Sequence, residues 1–549
     1  MDADTPDFCL FYADDGYSTA NKIMGRQSAG SAMIRGMARR WPDTPIHGVG
    51  SVRAAGTQMA ARLKAAGHQG GVAWHDLAGP TPPGPAAVYY PAPPEPGLAH
   101  ARNSRGVGAY SLFGVTHTLS SAGAMDQVAR LILPPFQPWD ALICTSHAAL
   151  VVVGRLQDEM RGWMREQCGA TRFVGVQTPV IPLGIDAPAF AATHADRAAA
   201  RTALGLEAQE VAFLFAGRLT FHAKANPVAF YQAVEAACRQ TGRRLVVVEA
   251  GIYPNDHIRR AFDQARATLA PSVRFIGVDG GDQAGYRAAW RAADVFVTLS
   301  DNIQETFGLT PIEAMAAGLP VLASDWNGYR DTVRDGVDGY LIPTLLPPAG
   351  TVGGWGDALA ARHAAGIDSY DMYIGRVSLG CAIDPDRLTG RIVALASDEG
   401  LRLRLGASGR ARALADYDWP VILDRYGALA NELAMLRAAA PAVARHWPGR
   451  PDPFALFSHY STAVVQPGWR VGARDPGGTA LSALLDLRVA GYAFDPQLMP
   501  RETVKAVHHA LARGECSVGD LLAAAPGDHA VNTAALMWLV KFGLAAVRP

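Results

Sequence analysis

Two glutamates eight positions apart flank a glycine in ETFGLTPIEAMAAGLPV, residues 305–321. The stretch follows an apolar run, VFVTLS, and opens a segment that can start a helix at Thr310-Pro311. Free amides at a helix start attract anions, and Gly308 lets backbone come close to a ligand. A diphosphate could rest on such a turn. Glu305 and Glu313 on either side could accept hydrogen bonds from the paired hydroxyls of a sugar or ribose. Earlier in the chain, AGRLTFHAK (Ala216–Lys224) follows another apolar run. Arg218 and Lys224 in it could offset charge on a leaving diphosphate. Each group also has a plain structural reading. Thr310 as N-cap, Pro311 as first helical residue and Glu313 as third would make a capping box. Glu305 could be a solvated loop carboxylate, and Arg218 and Lys224 exposed loop cations.

The elements around these residues set the frame. Phe8–Tyr12, Ala109–His117 and Ala141–Ser146 are short apolar runs of strand type. Met33, Met37 and Trp41 share one face of a helix in the second half of Gly25–Trp41. Pro80–Gly97 reads as a proline-rich loop around one short strand, and Thr178–Asp186 ends this first block. A second block holds Val211–Gly217, Arg244–Gly251, Val273–Val278, Val295–Ser300 and Pro320–Asp325, with helix-like segments between several of them. Short β-branched runs alternating with helices predict parallel sheets covered on both faces. Two such blocks predict an α/β protein of two doubly wound domains facing a cleft, where ligands collect at the carboxyl ends of the strands. From about Asp416 a long helical stretch follows, and then a loop-rich and mostly helical tail.

The chain has 549 residues and a formal net charge of zero, with 49% hydrophobic and 18% charged residues. That length predicts two or three domains, and the composition argues against disorder. Neutral charge argues against a dedicated nucleic-acid binder. Cys9, Cys144, Cys168, Cys238, Cys381 and Cys516 show no CxxC spacing, so buried reduced thiols are expected rather than a disulfide framework or a zinc site. The acidic start with its short apolar run does not read as a signal peptide, and no run reaches membrane-spanning length. A soluble cytoplasmic protein is expected, with peripheral membrane contact open.

Taken in order, VIPLGID, AGRLTFHAK and FIGV…YRAAWRAADVFVTLSDNIQETFGLTPIEAMAAGLPVLASDWNGYRDTVRDGVDGYLIP resemble the retaining glycosyltransferases of family 4, which have the GT-B fold. The resemblance covers about residues 8–435 and is densest over 211–343. Glu305…Glu313 matches the Glu-x7-Glu signature of that family. Gly217-Arg218-Leu219…Lys224 matches its Gly-Arg-Leu…Lys element.

The resemblance implies a GT-B fold with two Rossmann-like domains, 1–195 on the acceptor side and 196–415 on the donor side. It implies a helix crossing back over 416–440. It further implies transfer of a sugar from a nucleoside diphosphate, UDP or GDP, with anomeric retention and without metal or other cofactor. Arg218 and Lys224 would hold the diphosphate, Glu305 the sugar hydroxyls and Glu313 the ribose. Thr306, Phe307, Gly308 and Leu309 would contact phosphate and sugar, and Gly217 would open the phosphate loop. His117, in GVTHTLSS, matches a histidine beside the transferring sugar, its plain alternative being a hydrogen-bonded core histidine. The loop Met24–Gly30 matches one near the diphosphate and brings in Gly25, Arg26 and Gly30, without the commoner paired glycines. Ala225 and Thr306 stand where the family more often has glycine, and SDNIQE is a longer approach to the first glutamate.

A glycan, lipid-linked, protein or small-molecule acceptor fits this picture. A GT-B phosphorylase, a nucleotide-sugar epimerase and a non-catalytic sugar-nucleotide-binding protein stay open beside it.

Residues 441–549 fall outside the resemblance. They read as a small helical or winged-helix-like extension, able to bind a partner or a second copy, or simply to pack on the core. His508-His509 reads as a solvated helix face rather than a metal site. Arg130–Trp139 reads as core or loop packing, with an acceptor-pocket lining or a membrane contact as alternatives.

Overall fold

Alternate residues of the apolar runs go to opposite faces, and both faces are buried. Phe8, Leu10 and Tyr12 enter one apolar cluster while Cys9 enters another, and Val246 and Val248 part from Leu245 and Val247 in the same way. That is the signature of strands covered by helices on both sides. The structure, a computed structural model, describes residues 5–17, 25–77, 85, 87–350, 353–440, 448–496 and 498–549.

The first sheet contains β1 (Cys9–Phe11), β2 (Ile46–Gly50), β3 (Val72–Asp76), β4 (Ala87–Tyr90), β5 (Ser111–Val115) and β6 (Ala141–Ile143) in the order β3-β2-β1-β4-β5-β6. The second contains β7 (Val211–Arg218), β8 (Leu245–Ile252), β9 (Arg274–Asp279), β10 (Val295–Thr298), β11 (Val321–Ser324) and β12 (Gly339–Ile342) in the order β12-β11-β10-β7-β8-β9. All neighbours in both sheets are parallel. Counted within each block, both orders are 3-2-1-4-5-6, the doubly wound dinucleotide-binding order. The strand order reverses between β1 and β4 in one sheet and between β7 and β10 in the other.

Helix Trp419–Ala438 returns to the first sheet. Its Tyr426 packs among Phe8, Tyr89 and Phe113. Trp419 lies where Cβ atoms on Gly36 and Gly184 would intrude, at 2.1 and 2.5 Å, so both glycines make room for the indole. Asp418 caps this helix and forms an ion pair with Arg39 at 2.6 Å.

The chain divides into two compact units, Met1–Arg445 and His446–Pro549. The second is not helical throughout. It has a three-stranded antiparallel sheet, β16-β15-β17, of β15 (Arg470–Ala473), β16 (Cys516–Ser517) and β17 (Ala545–Arg548). Helices Arg501–Leu511, Val518–Ala524 and His529–Lys541 pack on it around Val471, Val504, Leu521 and Leu536. His508 is buried in this core, contrary to its reading as solvated, while His509 is exposed. Position 508 follows Val504 by one helical turn and so shares its inward face.

Two further expectations are corrected, and the core reading of Arg130–Trp139 holds. Gly25–Gly30 is not a loop, because helix Gly25–Arg40 already starts at Gly25; Met24 lies outside the described residues. The cysteines are all free, but only Cys9 and Cys144 are buried and Cys168 is exposed. Burial pushes the Cys9 and Cys144 thiols up to about 12. In Arg130–Trp139 the large apolar side chains Leu131, Ile132, Phe136 and Trp139 are core. Among the described residues no helix is long and apolar enough to cross a membrane.

Candidate active site

β7 and β10 lie side by side at the reversal of the second sheet, and each sends a polar segment off its carboxyl end. The β7 segment carries Arg218 and Lys224. The β10 segment carries Gln304, Glu305 and Thr306. The two segments are joined by an ion pair and a hydrogen bond: Lys224 Nζ is 2.9 Å from Glu305 Oε2, and Arg218 Nη2 donates to Gln304 Oε1 at 2.7 Å. Asn302 shapes the longer approach, accepting from the Gln304 amide and lying below Trp326, whose indole N–H donates to its carbonyl. The extra length thus forms an ordered turn that lays Gln304 against Arg218.

The two glutamates sit in different electrostatic settings. Burial would raise the Glu305 carboxyl, but the Lys224 ammonium and the Thr306 and Phe307 amides outweigh it and hold it below the usual carboxylate range. Glu313 has no such partner. Burial alone pushes it up to about 7, and among the described residues no hydrogen bond or ion pair reaches it. Tyr286 lies near enough for the Glu313 charge to add to the burial that raises the phenol. Beneath the Lys224 turn, burial also pushes Asp301 up to about 7, against a weak bond from the Asn226 amide at 3.4 Å.

The expected capping box at Glu313 is absent. Helix Leu309–Ala316 has Gly308 at its N-cap with φ 87°, and no side chain caps it. Thr310 and Pro311 are therefore already inside the first turn, and Glu313 is left for another role. Gly308 has a packing reason as well: a Cβ there would meet Tyr329 Cε1 at 2.1 Å. Tyr329 is itself fixed by a 2.9 Å bond between its hydroxyl and Thr298 Oγ1. Gly308→Ala is expected to cost about 3 kcal/mol through left-handed strain plus overpacking. Urea denaturation measures it, and a change below about 0.5 kcal/mol would remove this account.

The first sheet's strand ends meet this site. Thr306 Oγ1 donates to the His117 carbonyl at 2.8 Å, and Ser146 Oγ donates to the Thr306 carbonyl at 2.7 Å. His117 follows β5, and its Nε2 donates to the Pro91 carbonyl, just past β4, at 2.8 Å. Gly30 and His117 line one small cavity with Tyr17, Tyr89, Pro91 and Trp419. Gly30 also lets its helix approach the 14–16 turn, since a Cβ would lie 2.3 Å from the Gly16 carbonyl oxygen.

His117, Arg218, Lys224, Glu305 and Thr306 are thus linked directly or through one neighbour. Gly217 (φ 146°), Phe307, Gly308 and Leu309 shape the same strand ends. Among the described residues no hydrogen bond or ion pair joins Glu313 to Arg218 or Lys224, and the surroundings of Gly25 and Arg26 lie outside what the structure describes. Sequence reasoning missed Gln304, Ser146 and Tyr370, whose roles are tertiary contacts and not spacings.

Among the described residues one His/Cys group, Cys9, His47 and His75, brings its ligand atoms within 4.8 Å of one another. The two rings are nearly coplanar, with Nδ1 and Nε2 3.1 Å apart and centroids 5.4 Å apart. That separation is what a collinear N–H···N bond gives, so one lone pair already has its proton. The group reads as a hydrogen-bonded histidine pair.

Two doubly wound sheets with their strand ends turned on one crevice are the GT-B architecture. Residues 210–350 match the family described as glycosyl transferases, group 1. A phosphatidyl-myo-inositol mannosyltransferase of Mycobacterium tuberculosis is 31% identical over 273 residues, 49% of this chain and 57% of that protein. A D-inositol 3-phosphate glycosyltransferase of Nocardia farcinica is 35% identical over 184 residues, 33% of this chain and 39% of that protein. The match thus spans 57% of the first relative's length and 39% of the second's. A crystal structure of Anabaena Alr3699/HepE in complex with UDP-glucose is similar at 16% identity and TM-score 0.47, over 78% of this chain and 99% of that one.

Proposed function

We propose that this chain is a glycosyltransferase that moves a sugar from a nucleoside diphosphate to a hydroxyl-bearing acceptor with retention of configuration. The observation that carries the reading is the β7/β10 crevice, where Arg218, Lys224 and Glu305 converge on the reversal of a doubly wound sheet. Ligands of such sheets bind there. Arg218, Lys224 and the amides at the start of helix Leu309–Ala316 would take the diphosphate. Glu305 would accept from sugar hydroxyls and Glu313 from the ribose.

In the reaction the acceptor oxygen bonds to the anomeric carbon as the bond from that carbon to the β-phosphate oxygen breaks. The acceptor proton passes to the departing phosphate on the same face. No protein nucleophile takes part, so the protein's contribution is charge stabilisation and positioning. His117, held by Pro91 and adjoining Thr306, faces the acceptor side of this arrangement.

Calorimetry with UDP and GDP sugars, followed by detection of nucleotide release with and without acceptor, tests the reading. A wild-type protein that binds none of them, or that releases sugar phosphate only with free phosphate present, would end it. Turnover is expected to survive metal stripping and excess EDTA, because Arg218 and Lys224 occupy the diphosphate side and the described Asp-x-Asp pairs, Asp384–Asp386 and Asp416–Asp418, lie at helix ends. Asp384 and Asp418 in those pairs cap helices. Loss of rate that magnesium or manganese restores would overturn the metal-independent form. The second unit, His446–Pro549, is read as a docking module for a protein partner or a second copy.

A further inference from the structure

The segment between β12 and helix Pro385–Ser397 is far longer than a turn needs. Its ends pair as a short antiparallel ladder, Thr344–Leu345 with Ala382–Ile383. Between them run helices Trp355–Ala364 and Tyr370–Ser378. The family match stops at residue 350, just before these helices. The second helix is tightly seated on the β7 segment: a Cβ on Gly375 would lie 3.1 Å from His222 Cβ. Asp368 bonds both Arg362 and Arg376, and Ser369 caps the helix through the Met372 amide.

Tyr370, the first residue of that helix, reaches across the crevice. Its hydroxyl is 2.9 Å from Thr118 Oγ1, 2.8 Å from Ser120 Oγ and 3.4 Å from Gln304 Nε2. Thr118 and Ser120 follow β5 in the first sheet; Gln304 follows β10 in the second. Gln304 Oε1 in turn accepts from Arg218. A phenol donates one hydrogen bond and accepts two, and three partners fill that capacity.

We propose that Tyr370 is a positioning residue for Arg218, acting through Gln304, so that the guanidinium is aimed before a diphosphate arrives. The proposal rests on the donor-site reading above. A side-chain amide can rotate, and it aims its oxygen at Arg218 only while its nitrogen has an acceptor on the other side. The Tyr370 oxygen is that acceptor, and the Thr118 and Ser120 hydroxyls fix it in turn. A cation held in place before binding loses less freedom when the ligand arrives. The same chain of bonds joins the diphosphate side of the crevice to the loop that carries His117.

Full-length wild type, Tyr370→Phe, Gln304→Ala and the double variant would be titrated with UDP and with GDP by calorimetry, and with uridine and guanosine in competition. Each single change is expected to weaken the preferred diphosphate about 5-fold to 10-fold, the worth of one hydrogen bond. The double variant should be no weaker than the weaker single one, because both cut one chain. Affinity for the nucleoside, which lacks phosphate, should stay the same; a merely structural loss would lower it as well. Effects that multiply in the double variant, or equal losses for nucleoside and diphosphate, would overturn the proposal. So would an unchanged Tyr370→Phe in a protein that binds a diphosphate. A wild type that binds neither diphosphate removes the donor-site reading and this proposal with it.

Discussion

Lys224→Ala is expected to lower turnover by about 100–1000-fold, and Arg218→Ala by a comparable factor, the usual range for removing one charge-stabilising donor from a transition state. Lys224 is positioned by Glu305 and Arg218 by Gln304, so neither is a loose surface cation. Their stability cost should be small by comparison. The Lys224 side chain keeps 34% of its exposure and the ion pair is partly screened, which limits what its loss can do to folding. Initial rates and melting temperatures measured on the same preparations separate the two effects. Near wild-type rates in both variants would show that the cations do not face the leaving group.

The second large effect divides the glutamates. Glu305→Gln should lower transfer strongly while leaving the bare nucleoside diphosphate bound almost as well, since that ligand offers no sugar hydroxyl. Glu313→Gln should weaken the bare diphosphate itself. Glu313 also gives this variant a pH signature. Its folded value of about 7 lies above the ordinary carboxylate value, so between the two the native protein keeps a proton that the unfolded chain has lost. Stability from this group therefore falls as pH rises from the ordinary carboxylate range to about 7, and then levels. Glu313→Gln should melt higher than wild type at pH 8 and equal to it at pH 4. Hydroxyls donating to Glu313 would favour its charged form, so wild-type affinity should gain on the variant as pH passes through 7. The gain is read as a difference because the diphosphate titrates too. A bare diphosphate lost by Glu305→Gln but kept by Glu313→Gln would reverse the two roles, and no change in either would make both carboxylates structural.

The second sheet was legible because β7, β8, β10 and β11 each open on an apolar run, as buried parallel strands do. In the first sheet β2 and β3 went unread. Their sequences, IHGVG and VAWHD, carry glycine and histidine where a strand signal needs branched residues. The structure supplies the reason: Trp74 lies flat against Gly48, Gly50 and Gly56, where added Cβ atoms would come within 3.0 Å of its ring. Glycines that make room for one indole look like turn residues in sequence. The site was legible as far as its motifs reached. Arg218, Lys224 and Glu305 converge, but the capping box failed because Gly308 in the left-handed region takes the N-cap earlier than Thr310 can. Tyr370 left no trace in sequence, since its partners at 118, 120 and 304 are brought together only by the fold.

Helix Trp419–Ala438 has a consequence for how the protein is made. Phe8, Tyr89 and Phe113 are translated early, yet the Tyr426 ring that completes their cluster comes some three hundred residues later. At about 5–20 residues per second, the gap between Phe113 and Tyr426 is roughly 15–60 s of synthesis. Through that interval the first sheet lacks this part of its apolar cover while the second sheet has time to form. The first sheet thus emerges before the second yet is completed after it, once the closing helix Trp419–Ala438 has been made.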